Sequence, residues 1–139
     1  MVQSTIIEEV LEKLKAVVGE KFVFTDEESR EHYAHDETED FRFYPDVIVK
    51  PSTPEEVSGI VKLCNEYEIP LTPRGAGTGL SGGALPIHKG VVLSMERFTK
   101  IINIDEQNFQ ATVETGVITQ VFQEEVAKKG LFYPPPFGF

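Results

Sequence analysis

Apolar residues recur at intervals of three and four near the start of the chain, and this spacing predicts an amphipathic helix over residues 6–18. The apolar stripe consists of Ile6, Ile7, Val10, Leu11, Leu14, Val17 and Val18. Thr5 and Glu8 have the spacing of a capping box, which would satisfy free backbone amides at the start of the helix. Gly19 follows the last apolar position and predicts the end of the helix.

A second, short helix is predicted from Asp26 to Tyr33. Thr25 and Glu28 repeat the capping-box spacing. Asp26 and Glu27 would also interact favourably with the positive end of the helix dipole. The pattern therefore predicts a helix start at this point.

After the second helix, short β-branched runs alternate with one longer helical pattern. Residues 47–49 predict a strand, and residues 53–67 predict a helix with a cap, a proline in its first turn and a box glutamate. Residues 71–72 begin the next strand, and residues 91–93 predict a further buried strand. Strand, helix and strand at this spacing predict a right-handed βαβ unit with parallel strands.

The pattern changes in the last third of the chain. Residues 101–104 and 109–114 are apolar or alternating runs that flank the polar residues 105–108, and this arrangement predicts an antiparallel hairpin. A last helix is predicted over residues 120–129, capped by Thr119 and ended by the glycine that follows.

These elements predict a mixed α/β (α+β) chain, in which a small parallel βαβ sheet flanked by helices is followed by the start of an antiparallel sub-structure. We expect a first subdomain over about residues 1–97 and the start of a second over about residues 98–139. An incomplete sheet would leave an edge strand open, and such an edge invites self-association with another copy of the chain.

The segment from Pro73 to Gly83 has the most informative composition, because five of its eleven residues are glycine. Glycine lets the backbone turn tightly and approach a ligand closely, and successive amides in such a turn form a concavity that binds anions. Arg74 would add a planar, charged donor set at the mouth of the loop, and Thr78 and Ser81 add two hydroxyls. This combination favours a diphosphate site; the alternative is a flexible loop whose glycines only make turns.

Residues 77–82 also match the glycine spacing of a Rossmann dinucleotide fingerprint. That fingerprint requires a helix that begins within the glycines, whereas residues 83–86 contain a glycine and a proline that disfavour one. Glu96 comes too early for the expected acidic residue, and Asp105 lies in the wrong context. We therefore expect a loop that binds phosphate through its own amides and not through a helix dipole.

Composition excludes several classes of partner. The formal net charge of −10 argues against binding to nucleic acid or to an anionic membrane. No apolar run approaches the ~18 residues of a membrane span, and no secretory signal is recognisable, so we expect a cytoplasmic protein. The single cysteine excludes an intramolecular disulfide, and Cys64 has helical spacing with Val57 and Ile60, which favours a place in the core.

No residue is predicted to be catalytic, and no metal site is predicted. His32, His35 and His88 match no metal-ligand spacing. Acidic residues near His35 make a metal site conceivable there, and a solvated polar loop is the alternative. Ser81 lies outside a nucleophile elbow and has no positioned base.

Several segments together resemble one family of flavoenzymes. Residues 73–83 resemble the signature of the FAD-linked oxidase family, which has the PCMH-type fold of vanillyl-alcohol oxidase and the p-cresol methylhydroxylase flavoprotein. Residues 33–38 resemble the family's Tyr…Asp-x-Thr lead-in, residues 46–51 and 53–57 its first strand and helix start, and residues 133–135 the start of its Pro-Pro-Asp-Pro segment. The branch that these segments resemble contains the glycolate oxidase FAD subunit and the D-lactate dehydrogenases.

The resemblance implies an FAD cofactor whose pyrophosphate lies against the glycine loop. The cofactor-binding residues that it implies are Arg74, Gly75, Ala76, Gly77, Thr78, Gly79, Leu80, Ser81, Gly82, Gly83, Pro134 and Pro135. The two prolines would begin a second wall near the cofactor. The implied activity of the complete enzyme is oxidation of a small D-2-hydroxy acid, glycolate or D-lactate, with transfer of its α-hydrogen to the flavin.

The chain departs from the family at its last residues, where residues 134–139 read Pro-Pro-Pro-Phe-Gly-Phe and stop. We therefore expect residues 1–139 to be an N-terminal portion of an FAD-binding domain, without the substrate domain: a truncated product, a frame-shifted gene or a cloned fragment. Such a chain would bind FAD partially at most and would not turn over. The alternatives are a non-catalytic FAD- or nucleotide-binding module that works with a separate chain, and an inactive, incompletely folded fragment.

Overall fold

The computed structural model describes residue 6 and residues 8–134, and the chain divides into two compact units, Met1–Arg97 and Phe98–Phe139. The helices and strands of the first unit are α1 (Glu8–Val18), β1 (Val23–Phe24), α2 (Glu27–His32), β2 (Val47–Val49), α3 (Pro54–Glu66), β3 (Leu71–Arg74) and β4 (Val91–Ser94). Those of the second unit are β5 (Ile101–Asp105), β6 (Gln110–Val113) and α4 (Thr119–Ala127). The predicted mixed α/β class is confirmed.

The sheet of the first unit has the strand order β1-β2-β4-β3. β4 pairs in parallel with β2 on one side and with β3 on the other, and β1 joins β2 in antiparallel pairing. The two strands of the predicted βαβ unit are therefore parallel but not adjacent, because β4 lies between them. β3 runs directly into the glycine-rich segment, so that segment leaves the carboxyl end of a parallel strand, where open α/β sheets bind ligands.

Both faces of the sheet are covered. Val47 and Val49 of β2 lie in the larger core cluster with Leu14 of α1 and Ile60 of α3. Ile48, which points to the opposite face, packs with a smaller cluster that includes the Tyr33 ring. Cys64 is buried in the larger cluster, as its spacing predicts.

The helix starts follow the predicted capping chemistry with one displacement. The Asp26 side chain, and not that of Thr25, caps α2 by accepting a hydrogen bond of 2.8 Å from the Ser29 amide. Thr53 caps α3 as predicted, with Oγ1 3.2 Å from the Glu56 nitrogen. Gly19 follows α1 with φ of +94°, as expected of a helix end.

The Glu56 carboxylate in the first turn of α3 also accepts a hydrogen bond of 2.6 Å from the Ser52 amide, just before the helix. Ile6 lies before α1, and the predicted capping residue Thr5 lies outside the described residues.

In the second unit, β5 and β6 form the predicted antiparallel hairpin, and Asp105 closes its turn by accepting from the amides of Gln107 and Asn108 at 3.1 Å. The predicted cap of the last helix is wrong. Thr119 is the first helical residue of α4, and Ile118 occupies the cap position without a side-chain hydrogen bond. Among residues 6 and 8–134, every helix is too short or too polar to span a bilayer.

Candidate functional site

The glycine loop, residues 75–83, is an exposed irregular segment that begins where β3 ends. Residues 75–90, all of which the structure describes, contain no helix, so the expectation that this segment lacks a Rossmann helix is confirmed. The amides of residues 77–81 donate to no other described residue. The loop therefore presents a run of unused backbone donors to solvent, and such donors require water or an anion.

Residues 37 and 38 support the loop through hydrogen bonds to its backbone. The Glu37 amide donates to the Gly79 carbonyl oxygen at 3.2 Å, and the Gly82 amide donates to Thr38 Oγ1 at 2.9 Å. The Gly82 amide therefore already donates a hydrogen bond within the protein, and the place of Gly82 in the cofactor site stays a prediction.

Arg74 lies beneath the loop and not at its mouth, because its side chain is turned inward from the last position of β3. Only 5% of the residue is exposed. Its Nη1 donates to the His35 carbonyl oxygen at 2.7 Å, and its Cζ lies 5.2 Å from the centre of the Tyr33 ring. The prediction that Arg74 lies at the mouth of the loop is therefore wrong. The alternation of side chains along a short edge strand does not reveal to which face its last residue points.

Asp36 is a buried carboxylate next to this arrangement, with 7% of the residue exposed. Its Oδ1 accepts from the Thr38 amide at 2.8 Å, whereas its buried Oδ2 has no hydrogen-bond partner among the described residues. Burial opposes ionisation of this group, but the hydrogen bonds from Thr38 and the positive charge of Arg74 outweigh it, so the pKa of Asp36 is lowered.

A second polar cluster joins the carboxyl ends of β2 and β4. The Glu96 carboxylate accepts from the Ser94 hydroxyl at 2.6 Å and from the Tyr33 hydroxyl, and it forms an ion pair of 3.2 Å with Lys50. Burial raises the pKa of Tyr33, and its hydrogen bond to Glu96 raises it further. Burial opposes ionisation of Glu96, but its hydrogen bonds from Ser94 and Tyr33 and the Lys50 charge hold its pKa below the ordinary value.

Tyr33 connects the two clusters. Its ring faces Arg74 and its hydroxyl reaches Glu96, so the base of the loop and the ends of the central strands form one polar network. Sequence reasoning missed this network because its members lie far apart along the chain. The available signal was the resemblance of residues 33–38 to a family motif, which gives no contacts.

The loop glycines differ in what surrounds them. Gly77 has φ of +72°, and a Cβ at this position would overlap with Arg74 Nη2 and lie 2.6 Å from its Cζ. A Cβ on Gly79 would meet no described atom within 4 Å. The absence of a side chain at Gly77 thus serves the fold, whereas at Gly79 it leaves open space above the loop.

The remaining predicted site residues lie outside this unit or outside the described part of the chain. Pro134 belongs to the second unit and is exposed, and Pro135 lies outside the described residues. Within the second unit, Tyr133 packs edge-on against Phe122 and lines an apolar cavity of about 630 Å³. Among residues 6 and 8–134, no three His, Cys, Asp or Glu side chains are grouped so that they could hold a metal ion.

The loop fits an anionic diphosphate group in two respects. Its free amides are consecutive and exposed, and the space above Gly79 admits close approach to the backbone.

Known proteins with similar sequences are named as a dehydrogenase and as an oxidase subunit. The chain is 40% identical over 131 residues to a D-lactate dehydrogenase of Anaerostipes hadrus, which covers 94% of this chain and 27% of that protein. It is 39% identical over 130 residues to the glycolate oxidase subunit GlcD of Bacillus subtilis (strain 168), which covers 94% of this chain and 28% of that protein. The chain thus spans just over a quarter of the length of these relatives.

The fold is also similar to solved structures. A crystal structure of p-cresol methylhydroxylase with substrate bound superposes with a TM-score of 0.79 and 28% identity, over 88% of this chain and 25% of that one. The sequence profile described as FAD binding domain matches residues 45–139. Since this match covers more than half of the chain and includes the whole glycine loop, the protein belongs to the FAD binding domain family, and its cofactor is FAD.

Proposed function

We propose that the glycine loop binds the pyrophosphate of FAD through the amides of residues 77–81. The observation that carries this proposal is the run of exposed amides without a partner in the described chain, held at fixed points by Glu37 and Thr38. The exposed hydroxyls of Thr78 and Ser81 add polar contacts from the same loop.

Bound FAD would supply the electron-accepting ring, and the residues of this chain would bind and orient the cofactor. The loop is held at Gly79, in the middle of the donor run, by the Glu37 amide, and at Gly82, just after the run, by the Thr38 hydroxyl. Donors that are positioned before the ligand arrives lose less conformational entropy on binding. Preorganisation is therefore the main contribution of residues 35–38.

We infer that the substrate of the complete enzyme is a small D-2-hydroxy acid. The support is the similarity to proteins named D-lactate dehydrogenase and glycolate oxidase subunit, whose names specify lactate and glycolate. The division into two subdomains of an FAD-binding domain, the cytoplasmic location and self-association through an open sheet edge all remain predictions; sedimentation of the purified chain tests the last of these.

Titration of the purified chain with FAD, followed by flavin fluorescence with ADP as competitor, tests the proposed site. We expect saturable binding that ADP displaces. Gly79→Val should weaken binding by at least about tenfold, because the side chain occupies the approach path, and it should leave the thermal midpoint nearly unchanged, because the protein itself leaves that space empty. Ser58→Val, an exposed position of α3, is the control for an added isopropyl group.

FAD affinity that is equal in Gly79→Val and in the unaltered chain would show that the proposed pyrophosphate contact is wrong. Binding without competition by ADP would place the recognised part of FAD elsewhere on the chain.

A further inference from the structure

Arg74 is enclosed by the glycine loop, which follows it in the chain, and by residues 33–35, which precede it. Its guanidinium bonds to the His35 carbonyl at 2.7 Å on one side, faces the Tyr33 ring at 5.2 Å on another, and fills the space directly against Gly77. Because Gly77 has a positive φ of +72°, the chain turns sharply over the guanidinium at this residue. The direction of the following amides is therefore coupled to the position of Arg74.

The charge of Arg74 is compensated within the protein. Burial lowers the pKa of this guanidinium, and the neighbouring Tyr33, Asp36 and Glu96 oppose that effect. An arginine side chain remains protonated even so. A cation whose charge is partly offset by the negative charges of Asp36 and Glu96 adds less net attraction for a phosphate above the loop than an isolated one.

We propose that Arg74 is a positioning residue, which holds Gly77 and the amides after it in the shape that receives the diphosphate and makes no contact with the phosphate oxygens itself. This inference rests on the proposed function, because it assumes that the diphosphate lies at the loop. It replaces the phosphate-donor role that the sequence predicts for Arg74.

A comparison of two glycines isolates the contact. Gly77 and Gly82 both have φ of +72°, but a Cβ on Gly82 has its nearest neighbour at an ordinary 3.5 Å, the Leu85 methyl group. Alanine at either position should cost the same backbone strain, whereas only alanine at Gly77 overlaps with Arg74. We expect Gly77→Ala to weaken FAD binding at least about tenfold more than Gly82→Ala.

In an Arg74→Ala background the overlap is gone, so the two alanine variants should differ by less than about threefold in FAD affinity. In urea unfolding without FAD, Gly77→Ala should likewise lower the midpoint more than Gly82→Ala does, and this difference should shrink in the Arg74→Ala background. Additive effects of Arg74→Ala and Gly77→Ala in both measurements would overturn the inference.

Two further variants separate positioning from phosphate contact. Arg74→Met should weaken FAD binding and leave the slope of log Kd against log salt concentration unchanged. Arg74→Lys should weaken binding about as much as Arg74→Met, because lysine keeps the charge but cannot reproduce the planar stacking and the bond to His35. A reduced salt slope in Arg74→Met, or near-complete rescue by lysine, would assign Arg74 to the phosphate.

Failure of this inference is distinguishable from failure of the proposed site. If Gly79→Val binds FAD like the unaltered chain, the proposed site is wrong, yet the urea cycle still reports on the contact between Arg74 and Gly77. If Gly79→Val loses binding while the cycle is additive, the proposed site stands and the role assigned to Arg74 is wrong.

Discussion

Thr38 Oγ1 accepts a hydrogen bond of 2.9 Å from the backbone amide of Gly82, across 44 positions of the chain. The backbone of Thr38 is itself fixed, because its amide donates to Asp36 Oδ1 at 2.8 Å. Thr38 therefore links the buried Asp36 carboxylate to Gly82, near the end of the glycine loop. The shape of the loop thus depends on Thr38, which lies 44 positions before Gly82 in the chain.

We expect Thr38→Ala to weaken FAD binding by roughly fivefold, because the variant loses one hydrogen bond of about 1 kcal/mol and frees the end of the loop. FAD titration measures the affinity, and hydrogen exchange of the Gly82 amide measures the local opening. Thr38→Ser keeps the hydroxyl and should restore both properties. Thr112→Val, at an exposed position of β6, should change neither.

Equal FAD affinity in Thr38→Ala and Thr38→Ser, together with unchanged exchange at Gly82, would contradict a supporting role for this hydroxyl.

Stability in acid should depend on Glu96. Burial opposes its ionisation, yet the hydrogen bonds from Ser94 and Tyr33 and the charge of Lys50 lower its pKa below the ordinary value of 4.5. Because the folded-state pKa lies below the unfolded one, the carboxylate stabilises the fold fully above about pH 4.5, and this contribution is lost as the pH falls through the lower folded value. Urea unfolding between neutral pH and pH 3 measures it.

Glu96→Gln should lower the stability at neutral pH and make it fall less on acidification. Glu66→Gln, at an exposed position near the end of α3, should leave the pH profile unchanged. The pKa of Asp36 is also lowered, so part of the acid dependence should persist in Glu96→Gln. An identical pH profile in Glu96→Gln and the unaltered chain would exclude Glu96 as a source of acid sensitivity.

The single thiol should be nearly inert in the folded protein. Cys64 is buried in the core cluster, and burial raises its pKa to about 11. Because only the thiolate reacts, we expect modification by a disulfide reagent at pH 8 to proceed at the rate of unfolding, and to become rapid in concentrated urea. A rapid and complete reaction of the folded chain would place Cys64 outside the core.

Most of the local structure was predictable because its causes are local. The cap of α3 at Thr53, the glycine after α1 and the hairpin turn at Asp105 depend on residues within four positions of each other. Errors arose at helix starts, where the pattern does not decide which of two neighbouring residues takes the cap position. Asp26 caps α2 although Thr25 has the same chemistry, and Thr119 enters its helix although its hydroxyl could have capped it.

The site was predictable in composition but not in geometry. Five glycines in eleven residues indicate a loop that approaches a ligand, and the structure has that loop at the end of β3. The insertion of β4 between β2 and β3 and the burial of Arg74 depend on contacts between distant segments. Such contacts are set by packing, which a pattern of apolar and polar residues does not specify.

Gly90 lies directly before β4, where that strand begins beside β3, the edge strand that leads into the glycine loop. It has φ of +73°, and a Cβ there would overlap with the Pro70 carbonyl oxygen and lie 3.0 Å from the carbonyl carbon. That carbonyl accepts from the Val91 amide at 2.8 Å, so it cannot move without breaking the first contact between the two strands. The rigid ring of Pro70 limits any other adjustment.

Gly90→Ala should therefore destabilise the first unit by more than the ~1–2 kcal/mol expected from a left-handed backbone alone. Gly82→Ala has nearly the same φ and no close contact, so it should show the backbone cost by itself. Urea unfolding of both variants measures the difference, and equal costs would mean that the Pro70 contact is readily relieved. Because β3 carries Arg74 and leads into the loop, we also expect Gly90→Ala to lose FAD affinity although residue 90 lies outside the glycine loop.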